Sequence, residues 1–292
     1  MTAPDAGSLS LAGRDVPRLG YGTMRLTGPH IFGPPADRDE AVRVLRRAVE
    51  LGVRVIDTSW YYGPYVANEI LAEALHPYDD LVLVTKLGGA RRDDASWYSA
   101  LTPDELRAGC EHDLRLLRVD SVPVAHLRWM PGATVPFDEA LGAMVRLRDE
   151  GKIQHIGLSN VTPEQIDAAL AVTPLETVSN AYSVVDRKDE ATVDRCASEG
   201  IAYLPFFPLG ASPVRSGAGV TAQDVVAQVA KRLDATPTQV ALAWLLQRSP
   251  TMVPIPGTSS VAHLEENVAS AGLSLPADDV AELDAVGAAN LG

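Results

Sequence analysis

The feature that most constrains this chain is an alternation, repeated eight times, of a short β-rich run and an amphipathic helical stretch. Residues 19–23, 53–57, 81–86, 121–126, 153–158, 177–180, 201–204 and 252–255 read as strands. Between and after them, helical spacing recurs over 39–51, 67–75, 103–117, 137–150, 163–171, 188–199, 223–233 with 238–247, and 261–271. Such alternation implies parallel strands joined by helical crossovers. Thr102-Pro103-Asp104-Glu105 and Thr162-Pro163-Glu164 supply a capping hydroxyl, a proline at the first helical position and early acids. Leu51-Gly52, Glu150-Gly151 and Glu199-Gly200 stop helices just before the next strand. Eight units in 292 residues fit an α/β fold, a (β/α)8 TIM barrel entered through an N-terminal β-hairpin around Ala12-Gly13-Arg14-Asp15. With no compositional break, a single domain over 1–292 is expected. The absence of Gly-x-Gly-x-x-Gly after the first run argues against an open dinucleotide-binding sheet.

A net charge of -13 repels phosphate backbones and anionic lipid, which excludes nucleic acid and membrane surfaces as main partners and leaves any anionic ligand to local groups. No run approaches the ~18 apolar residues of a membrane helix. The first ten residues lack the basic-then-apolar order of a secretory signal, so a cytoplasmic location is expected. Cys110 and Cys196 have no metal-type spacing and are expected to be reduced.

Polar residues that punctuate the apolar runs carry the chemistry. Asp57, Lys86 and His126 each end a strand-like run, and Tyr62 follows Asp57 in the next loop. In a parallel barrel these ends share one mouth, where active sites lie. A phenol has an ordinary pKa of roughly 10, so a catalytic tyrosine needs a neighbour such as a lysine ammonium. Singly, Asp57 could cap a turn, Tyr62 could pack with Trp60 and Tyr61, Lys86 could be solvated and His126 could be a hydrogen-bonded core residue. Together they form a set suited to proton transfer, with no metal required.

The stretches Asp57-Thr58-Ser59-Trp60-Tyr61-Tyr62-Gly63, Val84-Thr85-Lys86, Ala125-His126-Leu127 and Gly151-Lys152-Ile153-Gln154-His155-Ile156-Gly157-Leu158-Ser159-Asn160 resemble the aldo-keto reductase family. The resemblance covers nearly the whole chain, and the loops 62–68 and 91–97 are similar to its bacterial, pyridoxal-reductase-like branch. It implies hydride transfer from a nicotinamide to a carbonyl carbon, with Tyr62 protonating the oxygen. Lys86 would lower the phenol's pKa, Asp57 would hold Lys86, and His126 would donate to the carbonyl oxygen.

The same resemblance implies that Ser159, Asn160 and Ser179 contact the carboxamide, Ser179 standing where the family has glutamine. Phe206 would stack on the nicotinamide, with Pro208, Leu209 and Gly210 along the pyrophosphate. The segment from Ile255 through Gly257 to Ser260, at a helix N-terminus, would hold the 2′-phosphate through Thr258, Ser259, Ser260 and backbone amides, with His263, and Glu266 and Asn267 would contact the adenine. Many members carry lysine and arginine where this chain has Gly257 and His263, so NADPH is expected with NADH as the alternative. Met24, Trp60, Tyr61, Trp97, Tyr98, Trp129 and Met130 would wall a pocket for a flat or apolar aldehyde or ketone, pyridoxal among them. Arg91, Arg92 and Arg128 read first as surface arginines, and otherwise as partners of a polar substrate group. Two further readings are a nucleotide-binding regulatory subunit on this fold, and a barrel hydrolase or isomerase using Asp57 and His126.

Overall fold

A tight turn opens the chain. Ala12 and Gly13, both at positive φ (50° and 73°), join strands β1 (Ser8–Leu11) and β2 (Arg14–Pro17) in an antiparallel hairpin. The structure, a computed structural model, describes residues 6–210 and 219–288. Residues 1–5 of the N-terminal stretch read above lie outside these.

Among the described residues seven parallel strands follow in one curled sheet: β3 (Tyr21–Gly22), β4 (Val55–Asp57), β5 (Val82–Leu87), β8 (Val122–Arg128), β9 (Ile153–Ser159), β10 (Thr177–Ser179) and β11 (Ala202–Tyr203). A separate antiparallel hairpin, β6 (Gly89–Arg91) with β7 (Trp97–Ser99), rises from the end of β5. The eighth barrel position is filled by extended chain around residues 252–256. Val253 N–H donates to the Tyr203 carbonyl at 2.8 Å, while on the other flank Gly20 N–H donates to the Pro254 carbonyl at 2.9 Å. Pro254 and Pro256 have no N–H to give back, so the strand expected at 252–255 closes the barrel without forming a regular ladder.

Among the described residues ten helices pack around the strands, α7–α10 following the last of them: α1 (Arg38–Glu50), α2 (Val66–Leu75), α3 (Pro103–Leu117), α4 (Phe137–Asp149), α5 (Pro163–Leu170), α6 (Glu190–Glu199), α7 (Asp224–Arg232), α8 (Pro237–Arg248), α9 (Val261–Ala269) and α10 (Ala277–Ala288). Reciprocal capping boxes open α3, α5 and α8, from Thr102, Thr162 and Thr236. The architecture is the expected (β/α)8 barrel with its N-terminal hairpin. No helix among the described residues is long and apolar enough to cross a membrane.

The two-residue period of the strands decides which side chains reach the site. Val55, Val82, Val84 and Val124 form an inward cluster with Leu11 and Val16 of the hairpin, while Leu83, Leu87, Ala125 and Leu127 pack outward beneath the helices. By the same parity Asp57, Lys86, His126 and Arg128 point inward.

Candidate active site

A cavity of about 490 Å³ opens at the C-terminal ends of the strands, and Asp57, Tyr62 and Lys86 line it. Lys86 is 1% exposed, and its ammonium donates to Asp57 Oδ1 in a buried ion pair. Burial pushes the Asp57 carboxyl up from its ordinary range, while Lys86 and, more weakly, Arg128 oppose that shift. Asp57 Oδ2 is buried with no hydrogen-bond partner among the described residues. Lys86 Nζ lies 5.5 Å from the centroid of the Tyr62 ring. The Tyr62 hydroxyl has no hydrogen-bond partner among the described residues. Burial raises its pKa, Asp57 raises it further, and the cation that opposes the rise is Arg128.

His126 occupies a lower level. It is fully buried, does not line the cavity, and its Nε2 lies 2.6 Å from Thr177 Oγ1. The contact passes over Gly157, where a Cβ would come within 2.2 Å of Thr177 Oγ1 and 2.4 Å of His126 Cδ2. Burial first, then the charges of Lys86 and Arg128, hold the imidazole pKa well below its ordinary value, so it is neutral. Its Nδ1 is also buried and unpartnered among the described residues. Two residues on, Arg128 lines the cavity, donates to Ser159 Oγ at 3.0 Å and stands 5.1 Å from the Phe206 ring centroid. Reading Arg128 as a surface arginine is therefore corrected. The signal was the period of two, which puts it on the same inward face as His126.

The residues expected at the nucleotide divide between the cavity and its flank. Asn160, Phe206, Pro208, Leu209 and Gly257 line the cavity. Ser159 and Ser179 pair across β9 and β10 just behind it, and Ser179 Oγ is a buried hydroxyl without a partner among the described residues. Gly210, at φ 70°, leads toward residues 211–218. Thr258 is buried, with its carbonyl accepting from Tyr21 Oη at 2.5 Å, whereas Ser259 and His263 are exposed. Glu266 accepts from Thr236 Oγ1 at 2.5 Å, and Asn267 is buried. Asn160, the Phe206 face and the backbone at Gly257 along one cavity, with the unpartnered Ser179 hydroxyl behind it, fit an extended nucleotide. The missing lysine has a steric cause, since a Cβ on Gly257 would sit 2.6 Å from the Gly22 carbonyl oxygen.

Of the expected substrate wall, Met24, Tyr61, Trp97 and Met130 line the cavity, joined by Ile31 and Phe207, which the sequence reading missed. Trp60 and Trp129 do not. Trp60 turns back against His112 and Tyr65, at 5.1 and 6.0 Å between ring centroids, and Trp129 lies edge-on to Phe137 at 5.4 Å. Trp129 follows the inward Arg128, so strand parity points it away. Tyr98 also stays outside, beneath the guanidinium of Arg92.

The Aldo/keto reductase family profile matches residues 18–288. Pyridoxine 4-dehydrogenase of Escherichia coli (strain K12) is 46% identical over 288 residues, spanning 96% of this chain and 98% of that protein. The thermostable aldo-keto reductase Tm1743, solved with the inhibitor epalrestat, superposes with a TM-score of 0.81 at 28% identity, over 96% of this chain and 100% of that one. An aldo/keto reductase from Klebsiella pneumoniae, solved with NADP and acetate, gives 0.79 at 26% identity, over 96% and 95% of the two chains. The family match and the barrel that carries these residues agree, and the chain belongs to the aldo/keto reductase family of oxidoreductases.

Proposed function

We propose that this chain reduces an aldehyde or ketone to the alcohol with NADPH, Tyr62 acting as the general acid. The observation that carries the reading is Tyr62 at the cavity wall, its hydroxyl without a partner among the described residues and its ring centroid 5.5 Å from the Nζ of the buried Lys86–Asp57 pair. When bound, the nicotinamide supplies a hydride to the carbonyl carbon. As the C=O π pair moves onto oxygen, Tyr62 gives that oxygen its proton and regains one from solvent. Burial keeps the phenol protonated until it reacts, and the Arg128 charge, which opposes that rise, favours the phenolate as the proton leaves. Lys86 and Asp57 hold the floor beneath it, and Asp57 keeps the lysine from moving. Phe206 offers a flat face for the nicotinamide, and Ser159, Asn160 and Ser179 offer polar atoms for its carboxamide. Trp97, Tyr61 and Met24 suit a flat carbonyl compound, and the E. coli relative's name points to the pyridoxal–pyridoxine pair as the first substrate to try.

Loss of NADPH absorbance with an aldehyde panel that includes pyridoxal tests the reading. Turnover with at least one carbonyl is expected, and Tyr62→Phe should abolish it. Unchanged turnover in that variant removes Tyr62 as the acid. A fluorescence titration with no nucleotide binding overturns the whole reading.

A further inference from the structure

We propose that Arg128, and not His126, is the catalytic residue that donates to the reacting carbonyl oxygen; the proposal rests on the carbonyl-reductase reading above. The two side chains share the inward face of β8 at different heights. His126 pairs in register with Lys86 and Gly157, inside the barrel, whereas Arg128 pairs with Ser159 at the strand's end. His126 is fully buried, and its Nε2 is engaged by Thr177. To reach a substrate it would have to break that bond and pass the Arg128 side chain. Arg128 already lines the cavity with Tyr62, Lys86 and Phe206.

Donor capacity points the same way. A guanidinium carries five N–H groups, and Arg128 commits one of its terminal nitrogens to Ser159, so Nη2 and Nε have no partner among the described residues. The carboxylate nearest in the site, Asp57, is paired with Lys86, and Arg128 has no ion pair among the described residues. An unpaired cation lining the same cavity as Tyr62 stabilises negative charge on the carbonyl oxygen as hydride arrives, and on the phenolate after its proton leaves. The pKa pattern agrees, since Arg128 is the cation that opposes the raised value of Tyr62. Its place over Phe206 brings those donors to the ring that would carry the nicotinamide. Arg128 keeps its protons throughout: the hydrogen on carbon comes from the nicotinamide and the hydrogen on oxygen from Tyr62.

The test compares Arg128→Gln, Arg128→Ala and His126→Gln in the full chain. NADPH fluorescence titration comes first and is expected to show near-wild-type affinity in all three. Arg128→Gln should then lower kcat by about 10²–10³-fold, the loss typical of one oxyanion donor, with a smaller loss in His126→Gln. The isotope effect with C4-deuterated NADPH should rise in Arg128→Gln, as hydride transfer becomes rate-limiting. Millimolar guanidinium should restore part of the turnover of Arg128→Ala, which a merely structural arginine would not show. The proposal is overturned if Arg128→Gln keeps kcat within about threefold, or if His126→Gln loses as much. It is also overturned if Arg128→Gln raises only KM, and only for anionic substrates, which would make Arg128 a substituent-binding group. A wild-type chain that reduces no carbonyl fails the earlier reading instead, a result distinct from an active wild type with active variants.

Discussion

His126 Nε2 meets Thr177 Oγ1 at 2.6 Å across the bare backbone of Gly157, so a neutral imidazole is locked into the barrel interior beneath the cavity. Its pKa lies well below the ordinary value, chiefly through burial. The unfolded chain therefore takes up a proton below about pH 6.5 that the folded chain refuses, and stability falls as pH drops through that point. His126→Gln should flatten this loss by up to one proton, about 1.4 kcal/mol per pH unit. Urea denaturation between pH 5 and 8 reads the difference between variant and wild type. An identical slope in both would assign the proton elsewhere.

Asp113 of α3 predicts the opposite trend. It is fully buried, accepts from Thr85 Oγ1 at 2.5 Å and Asn68 Nδ2 at 2.6 Å, and burial pushes its pKa up to about 7. Its raised folded value favours the protonated native state at low pH, and that contribution is lost as pH rises from about 4 through 7. Asp113→Asn should therefore gain on wild type as pH rises from 5 to 8. Asp113→Leu should cost about 1–3 kcal/mol for each donor it leaves unpartnered. Thermal unfolding of the two variants across that range separates the charge from the hydrogen bonds.

Much of this was legible beforehand, because strand ends in a parallel barrel announce themselves as apolar runs that stop at a polar residue. Asp57 and Lys86 were found that way. What was missed needed parity or space. Arg128 lies two residues past His126 on the same face, where the strand runs on beyond the apolar stretch that marks it in the sequence. Trp60 and Trp129 looked like pocket walls from proximity alone, and orientation excludes them. The β6–β7 hairpin escaped because its strands are three residues each, too short for a pattern. Helix α10 lies beyond the eighth repeat, yet it brings Leu283 into the core and accepts from Trp244 Nε1 through Asp284 Oδ1 at 3.0 Å.

The Lys86–Asp57 pair makes a thermodynamic prediction apart from catalysis. Breaking a buried pair leaves one uncompensated charge, so Lys86→Met and Asp57→Asn should each cost about 3–5 kcal/mol. The double variant should be more stable than the sum of the two losses, because neither charge then remains. A double-mutant cycle by urea denaturation gives the coupling, and strict additivity would contradict the pairing.

Arg91 ties two parts of the cavity wall together. Its guanidinium donates to the carbonyls of Ile31 at 3.0 Å, His30 at 2.9 Å and Ala95 at 2.7 Å, and lies 4.0 Å from the Trp97 ring centroid. A lysine ammonium cannot span three carbonyls in one plane and stack as well. Arg91→Lys should speed hydrogen exchange in residues 28–33 and 89–99 and raise KM more than it lowers kcat. Equal protection in wild type and variant would show that the loop and hairpin hold without it.

The last prediction concerns the nucleotide's phosphate end, where the charge pattern departs from the resemblance. A side chain at 257 is excluded by the Gly22 carbonyl, so Gly257→Lys should weaken nucleotide binding. At the start of α9 the Val261 N–H donates to Glu40 Oε1 at 3.1 Å, so a carboxylate already sits on the helix's positive end. That contact, with Arg43, holds the Glu40 carboxyl below its ordinary pKa, so it is charged at neutral pH. A nearby phosphate is repelled by it. Arg25, on the cavity rim beside Gly257, has no ion pair among the described residues and is the cation left to meet that phosphate. Glu40→Gln should tighten NADPH more than NADH, and Arg25→Ala should weaken NADPH more than NADH, each by about three- to tenfold at low salt. Both effects should shrink as ionic strength rises, since exposed charges are screened within about 10 Å at 0.1 M salt. Fluorescence titrations with both nucleotides at two salt concentrations decide it, and equal shifts for NADPH and NADH would place the 2′-phosphate away from both residues.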